Sequence, residues 1–101
     1  SGELYDNEFH GARSRGWQVV GTGQSVHAYR NVFVGGGAGV GVNASGGAGE
    51  VRLTDNVIAG YAVAIVRSGT VRILDQANRV WGNGQHAIGL TLDQSTRYAS
   101  D

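Results

Sequence analysis

Proline, cysteine, methionine and lysine are all missing from this chain of 101 residues. Without cysteine there is no disulfide framework and no thiolate-ligated metal, and the redox compartment leaves no mark. Without lysine there is no phosphate-cradling Walker loop and no Schiff-base chemistry. The eight bases are all arginine and are matched by eight acids, so no net field draws the chain to nucleic acid or an anionic surface. No apolar run approaches the ~20 residues of a membrane span. Neither nucleic acid nor membrane is an expected partner. With no methionine even at position 1, the chain reads as a piece of a longer product or an engineered segment.

Eighteen glycines stand against this lack of proline. Collagen demands a strict three-residue period with proline and is excluded. Glycine-rich disorder would lack the apolar runs WQVV, VAIV and VRIL. Glycine as punctuation between many short strands is what remains.

One skeleton, Asn-x-apolar-x-Gly, occurs four times: Asn7-Phe9-Gly11, Asn31-Phe33-Gly35, Asn56-Ile58-Gly60 and Asn78-Val80-Gly82. Successive asparagines are 24, 25 and 22 residues apart, the range of a repeat architecture. Aligned on them, a short alternating strand precedes each asparagine, the last with two extra residues, Gln76 and Ala77. Its inward columns read Val26, Val51, Val71 and Leu4, Ala28, Leu53, Ile73. After the asparagine comes the column Phe9, Phe33, Ile58, Val80. A further strand then supplies Trp17, Val40, Val63, Ile88 and Val19, Val42, Ile65, Leu90. Period-2 alternation inside a period near 24 predicts three short strands per turn of a coil. Helix is a poor alternative, since each interior glycine costs roughly 1 kcal/mol.

The reading is an all-β solenoid of between three and four coils over residues 1–92, with 93–101 as a polar tail or partial cap. An inward asparagine at a sharp bend can give its amide to the asparagine one coil away, about 4.8 Å along the axis. Asn7, Asn31, Asn56 and Asn78 are therefore structural, with Asn78, after its insertion, expected to be the least regular. The closing glycine supplies a positive φ for the bend. Leu4 and Phe9 at one end, and Ile88, Leu90 and Leu92 at the other, have no evident cover.

This pattern resembles the right-handed parallel β-helix, the pectin-lyase-like family with its inward asparagine stack, over residues 3–92. That fold carries polysaccharide lyases, glycoside hydrolases, uronate epimerases, phage tailspikes, adhesins and inert stalks. The resemblance implies a module of an extracellular or cell- or virion-surface carbohydrate-interacting protein, part of a polysaccharide-modifying enzyme or of something tailspike-like. The alternative is a purely structural or assembly segment. In β-helices of this kind, polysaccharide lies along the strand two steps after the asparagine turn. The outward column there is Gln18, Gly41, Ala64, Gly89, with no acid, base or metal ligand. The family's calcium-binding aspartates, paired catalytic acids and Asp-Pro-His epimerase signature have no match. The reading therefore leans away from catalysis by this segment; an enzyme would be a lyase, hydrolase or epimerase. No cofactor is expected, and no metal, because His10, His27 and His86 fall in different columns.

Charge and aromatics gather instead on the strand before the asparagine. Its outward columns read Glu3, His27, Arg52, Arg72; then Tyr5, Tyr29, Thr54, Leu74; then Asp6, Arg30, Asp55, Asp75. Tyr5, Tyr29, His27, Arg52 and Arg72 form the candidate ligand-binding set, because aromatic faces cover sugar C–H surfaces and arginine forks bind carboxylates. An ordinary amphipathic sheet face is the plainer account. Neighbouring coils would set Asp55 and Asp75 about 5 Å apart, the separation used by retaining glycosidases. A surface charge stack explains the same column without a cleft and is preferred. Finally, Val32, Val34, Val57 and Trp81 form an outward apolar stripe, expected to pack on a second subunit or a neighbouring segment of a longer parent.

Overall fold

The structure, a computed structural model, describes residues 2–12, 15–21, 23, 25–92 and 97–99. Among them there is no helix. The first rung comprises β1 (Gly2–Tyr5), β2 (Glu8–Ala12) and β3 (Arg15–Gly21). β4 (Ser25–Tyr29), β5 (Val32–Gly35) and β6 (Val40–Gly46) form the second. The third is β7 (Glu50–Thr54), β8 (Val57–Ala59) and β9 (Val63–Arg67). The last complete rung is β10 (Arg72–Gln76), β11 (Arg79–Trp81) and β12 (Gln85–Ile88), and β13 (Arg97–Ala99) follows. Like strands stack into three sheets, β1-β4-β7-β10, β13-β11-β8-β5-β2 and β12-β9-β6-β3, with parallel pairing throughout. The chain is a parallel β-solenoid of about three turns. Of the tail at 93–101, residues 93–96, 100 and 101 lie outside the described residues; Arg97–Ala99 pairs with β11 and extends the second sheet.

The core is a set of columns one residue wide. Phe9, Phe33, Ile58 and Val80 lie in register, the last three fully buried and the two phenylalanine rings parallel at 4.9 Å. Leu53, Val42, Ile65 and Val71 fill the remaining interior. Each such side chain contributes about 1.5–3 kcal/mol by leaving water.

Between the first and second sheets the asparagines form a continuous ladder. The Asn31 Oδ1 accepts the backbone N–H and Nδ2 of Asn7 at 3.1 and 3.2 Å. Asn56 Oδ1 accepts the same pair from Asn31 at 2.9 and 3.0 Å, and Asn78 Oδ1 from Asn56 at 2.8 and 3.0 Å. Each Nδ2 also reaches back to a backbone carbonyl of the preceding rung: Leu4, Ala28 and Leu53 for Asn31, Asn56 and Asn78. Contrary to expectation, Asn78 is as regular as the rest, and it is fully buried.

The reason is that Gln76 and Ala77 are not an insertion. Counting back from the asparagine, Asp75 pairs with Leu53 and Gln76 with Thr54. Ala77 then occupies the bend position held by Asp6, Arg30 and Asp55, all four at φ 55–56°. The expected inward columns shift accordingly: Ile73 lies beside Val51, and Asp75, 5% exposed, beside Leu53. The shortening occurs at the other bends. Val32 pairs with Val57, 25 residues on; Val40 with Val63, 23 on; Glu50 with Arg72, 22 on. Between Gly35 and Val40 lie four residues, but only Tyr61 and Ala62 separate Gly60 from Val63.

In the third sheet Val40–Val63 and Val42–Ile65 pair as expected, but the first rung is displaced by two residues and the last by three. Trp17 aligns with Val42, Ile65 and Ala87 rather than with Val40, Val63 and Ile88, and Ile88 is 45% exposed. The supposed outward column is also corrected, for Gly41 and Ala64 are buried. A Cβ on Gly41 would stand 2.5 Å from Ile58 Cγ2 and 3.1 Å from Tyr61 Cδ2. Gly35 differs from its expected role as well: its missing Cβ makes room for the Tyr61 ring, 2.5 Å from where that atom would be.

Candidate functional site

The outer face of the first sheet brings together most of the residues expected there. Glu3, His27, Arg52 and Leu74 share one column, and Tyr5, Tyr29, Thr54 and Gln76 the next. Strand alternation aims these side chains outward while Leu4, Ala28 and Leu53 point in. Arg72 falls beside Glu50, one column from its expected place, because the fourth rung is in register two residues later than the sequence alignment had it.

Tyr5 and Tyr29 stack at 5.0 Å with planes 7° apart. Rings lying flat on the sheet would collide at that separation, so they stand on edge, face to face. Solvent therefore meets their hydroxyl edges, and Tyr5 is 48% exposed. His27 tilts against Tyr29 at 4.8 Å, and its Nε2 lies 3.0 Å from Thr54 Oγ1.

Arg30 completes the cluster. Its guanidinium carbon sits 5.1 Å from the Tyr29 ring centre, and its fork donates to Asp6 through Nε–Oδ1 at 2.9 Å and Nη2–Oδ2 at 3.1 Å. The hydrogen bond to Asp6, then its charge, raises the arginine's pKa. Loss of hydration, then the Glu3 carboxylate, raises that of the Tyr29 hydroxyl, which donates to Glu3 Oε1 at 3.4 Å. The Asp6–Arg30 pair agrees with the charge column expected from the sequence; nothing in the pattern signals that the guanidinium also folds back over a ring.

Two shallow depressions meet at Arg52. One is lined by Glu3, Ser25, His27 and Glu50, the other by Thr54, Leu74, Asp75 and Gln76. The Arg52 Nε is 4.0 Å from Glu50 Oε2, so its remaining donors can face a ligand.

The proposed carboxylate pair does not form a column. Asp55 is exposed at its bend, whereas Asp75 lies in β10, buried beside Leu53. The geometric ground for pairing them is gone. The asparagines are structural as described. Val32, Val34, Val57 and Trp81 lie on the outer face of the second sheet, with Trp81 53% exposed. Among the described residues, no three His, Asp or Glu gather where they could hold a metal.

One structural asparagine escaped the sequence reading. Asn83 Oδ1 accepts the Tyr61 N–H at 2.8 Å, and its Nδ2 donates to the carbonyls of Ile58 and Trp81, each at 3.0 Å. These are the bonds of the main ladder, made once at a different bend. A single occurrence carries no period, so only the segment WGNG could have hinted at it.

The chain matches no family model, no curated protein and no solved structure.

Proposed function

We propose that this solenoid is a non-catalytic carbohydrate-binding module, right-handed and pectin-lyase-like, of an extracellular or surface protein that handles acidic polysaccharide. One observation carries the reading. Tyr5, Tyr29, His27 and Arg52 share one sheet face, and Arg30 folds over it from the bend, combining aromatic edges with guanidinium groups on neighbouring rungs. A sugar can lie across the hydroxyl edges of Tyr5 and Tyr29, while Arg52 meets a uronate carboxylate and His27 and Thr54 supply hydroxyl partners. The rungs recur about every 4.8 Å, close to the length of one sugar unit, so a chain would run along the solenoid axis.

The test is calorimetric titration with oligogalacturonate and, separately, a neutral glucan. Binding of the uronate alone is expected, weakened about five- to tenfold by Tyr5→Ala and by Arg52→Ala. Silence toward both ligands at millimolar concentration would sink the proposal. It would favour the second reading, an assembly segment, for which the exposed Trp81 beside stacked valines is the supporting observation.

A further inference from the structure

The outward side of the second sheet changes character along the solenoid. From β2 to β11 one column reads Glu8, Val32, Val57, Arg79: an acid, two apolar residues and a base. The column beside it reads His10, Val34, Ala59, Trp81. Glu8, His10, Arg79 and Trp81 are exposed, and the three valines half-buried. Trp81 and the valines beside it make a small apolar patch on this face, and tryptophan is among the commonest interface anchors.

The order of the charges selects the partner. Two copies meeting face to face are related by a two-fold axis lying in the contact. Were that axis to run along the solenoid, like rungs would meet, gathering two Glu8 carboxylates at one end and two Arg79 guanidinium groups at the other. Run parallel to the strands, midway between β5 and β8, it reverses the rungs. Glu8 of one copy then faces Arg79 of the other, Val32 faces Val57, and His10 faces Trp81. Each contact occurs twice, and the assembly closes at two.

We propose that this chain forms an antiparallel two-fold dimer through this face, the charged ends setting the direction and Trp81 anchoring each side. The patch spans three rung steps of about 4.8 Å and three residues of about 3.3 Å. That area is roughly 140 Å² per copy, well below the ~800 Å² per partner of a standard interface. The dimer is accordingly weak, with a Kd on the order of hundreds of micromolar. The proposal is independent of any carbohydrate reading, since it uses a different sheet.

Sedimentation velocity of the whole chain from about 10 μM to about 2 mM brackets such a Kd. The mass is expected to rise toward that of two copies, and Trp81→Ala to hold it near one. Glu8→Arg and Arg79→Glu should each weaken association about three- to tenfold, and the doubly exchanged chain should recover wild-type association. All these positions are exposed, and circular dichroism checks that each variant folds. A monomer at every concentration overturns the proposal. So does a dimer indifferent to the single charge reversals, which would mean like rungs meet or another face is used. A double exchange no better than the singles also overturns it.

Discussion

The two bends that flank the second sheet solve one problem differently. Each must satisfy backbone groups that would otherwise be buried without partners. At the bend before this sheet, every rung uses the same device: a residue at φ near 55°, then an asparagine whose amide bonds to a neighbouring rung, in Asn31 and Asn56 to both. At the bend after it, the rungs differ. One has four residues, Gly36 to Gly39; the next has Tyr61 and Ala62, and the last Asn83 and Gly84. There the Tyr61 ring fills space left by Gly16, Gly35 and Gly41, and a single asparagine, Asn83, receives the Tyr61 N–H. The comparison teaches that a side-chain ladder tolerates no change in length, because one added residue moves the amide out of reach. A bend made of glycine and one large ring can lose residues between rungs without breaking its neighbours.

The most damaging test of this contrast is Asn56→Leu. It strips the acceptor from two Asn31 N–H donors and the donor from the Ala28 carbonyl, all buried. A loss of about 3–5 kcal/mol in urea unfolding is expected; a loss under about 1 would mean the ladder is not what holds that bend. Gly41→Ala probes the start of β6, just after the other bend, where the new methyl would press on Ile58 and on the Ala64 carbonyl, 2.6 Å away. Overpacking of this kind should lower stability by about 1–3 kcal/mol, and an unchanged urea midpoint would show that this bend yields even at its tightest point. Asn83→Leu should be milder than Asn56→Leu, about 1–2 kcal/mol, since Asn83 Oδ1 accepts one N–H rather than two. Equal effects would erase the distinction between the bends.

Two smaller changes sharpen it. Ala77 holds φ 55° with a Cβ and no polar side chain to compensate, so Ala77→Gly should raise stability by up to about 1 kcal/mol. A drop on thermal unfolding would show that the bend is not strained. The Tyr61 hydroxyl is buried without a partner among the described residues, and Tyr61→Phe is expected to change stability by less than about 1 kcal/mol at neutral pH. Burial raises its pKa above the ordinary 10.0. The unfolded chain therefore gives up this proton first, and wild-type stability falls as pH climbs above 10. Tyr61→Phe should gain on wild type in that window alone, as followed by urea unfolding at successive pH values; parallel curves would show that the ring is wetter than its surroundings imply.

How much of this could be read in advance differs residue by residue. Asn7, Asn31, Asn56 and Asn78 announced the ladder because one requirement recurs in every rung. Phe9, Phe33, Ile58 and Val80 followed from their fixed distance to it. Asp75 was misassigned because alignment from the strand's apolar start treated Gln76 and Ala77 as additions; counting back from Asn78 gives the register found. Tyr61 left no pattern at all, since it occurs in one rung only, and of Arg30 the charge column showed the Asp6 pair but not the ring contact.

By itself, the sequence determined the strand alternation, the repeat and the asparagine bend. Those depend on local periodicity and on an amide that must meet its like one rung away. Only the tertiary structure decided the register beyond the second bend, the inward turn of Gly41 and Ala64, the edge-on Tyr5–Tyr29 stack and the arginine lying over it. They are set by contacts between neighbouring rungs, such as Tyr5 with Tyr29, Asp6 with Arg30 and the Tyr61 N–H with Asn83, and bend length fixes which residues meet.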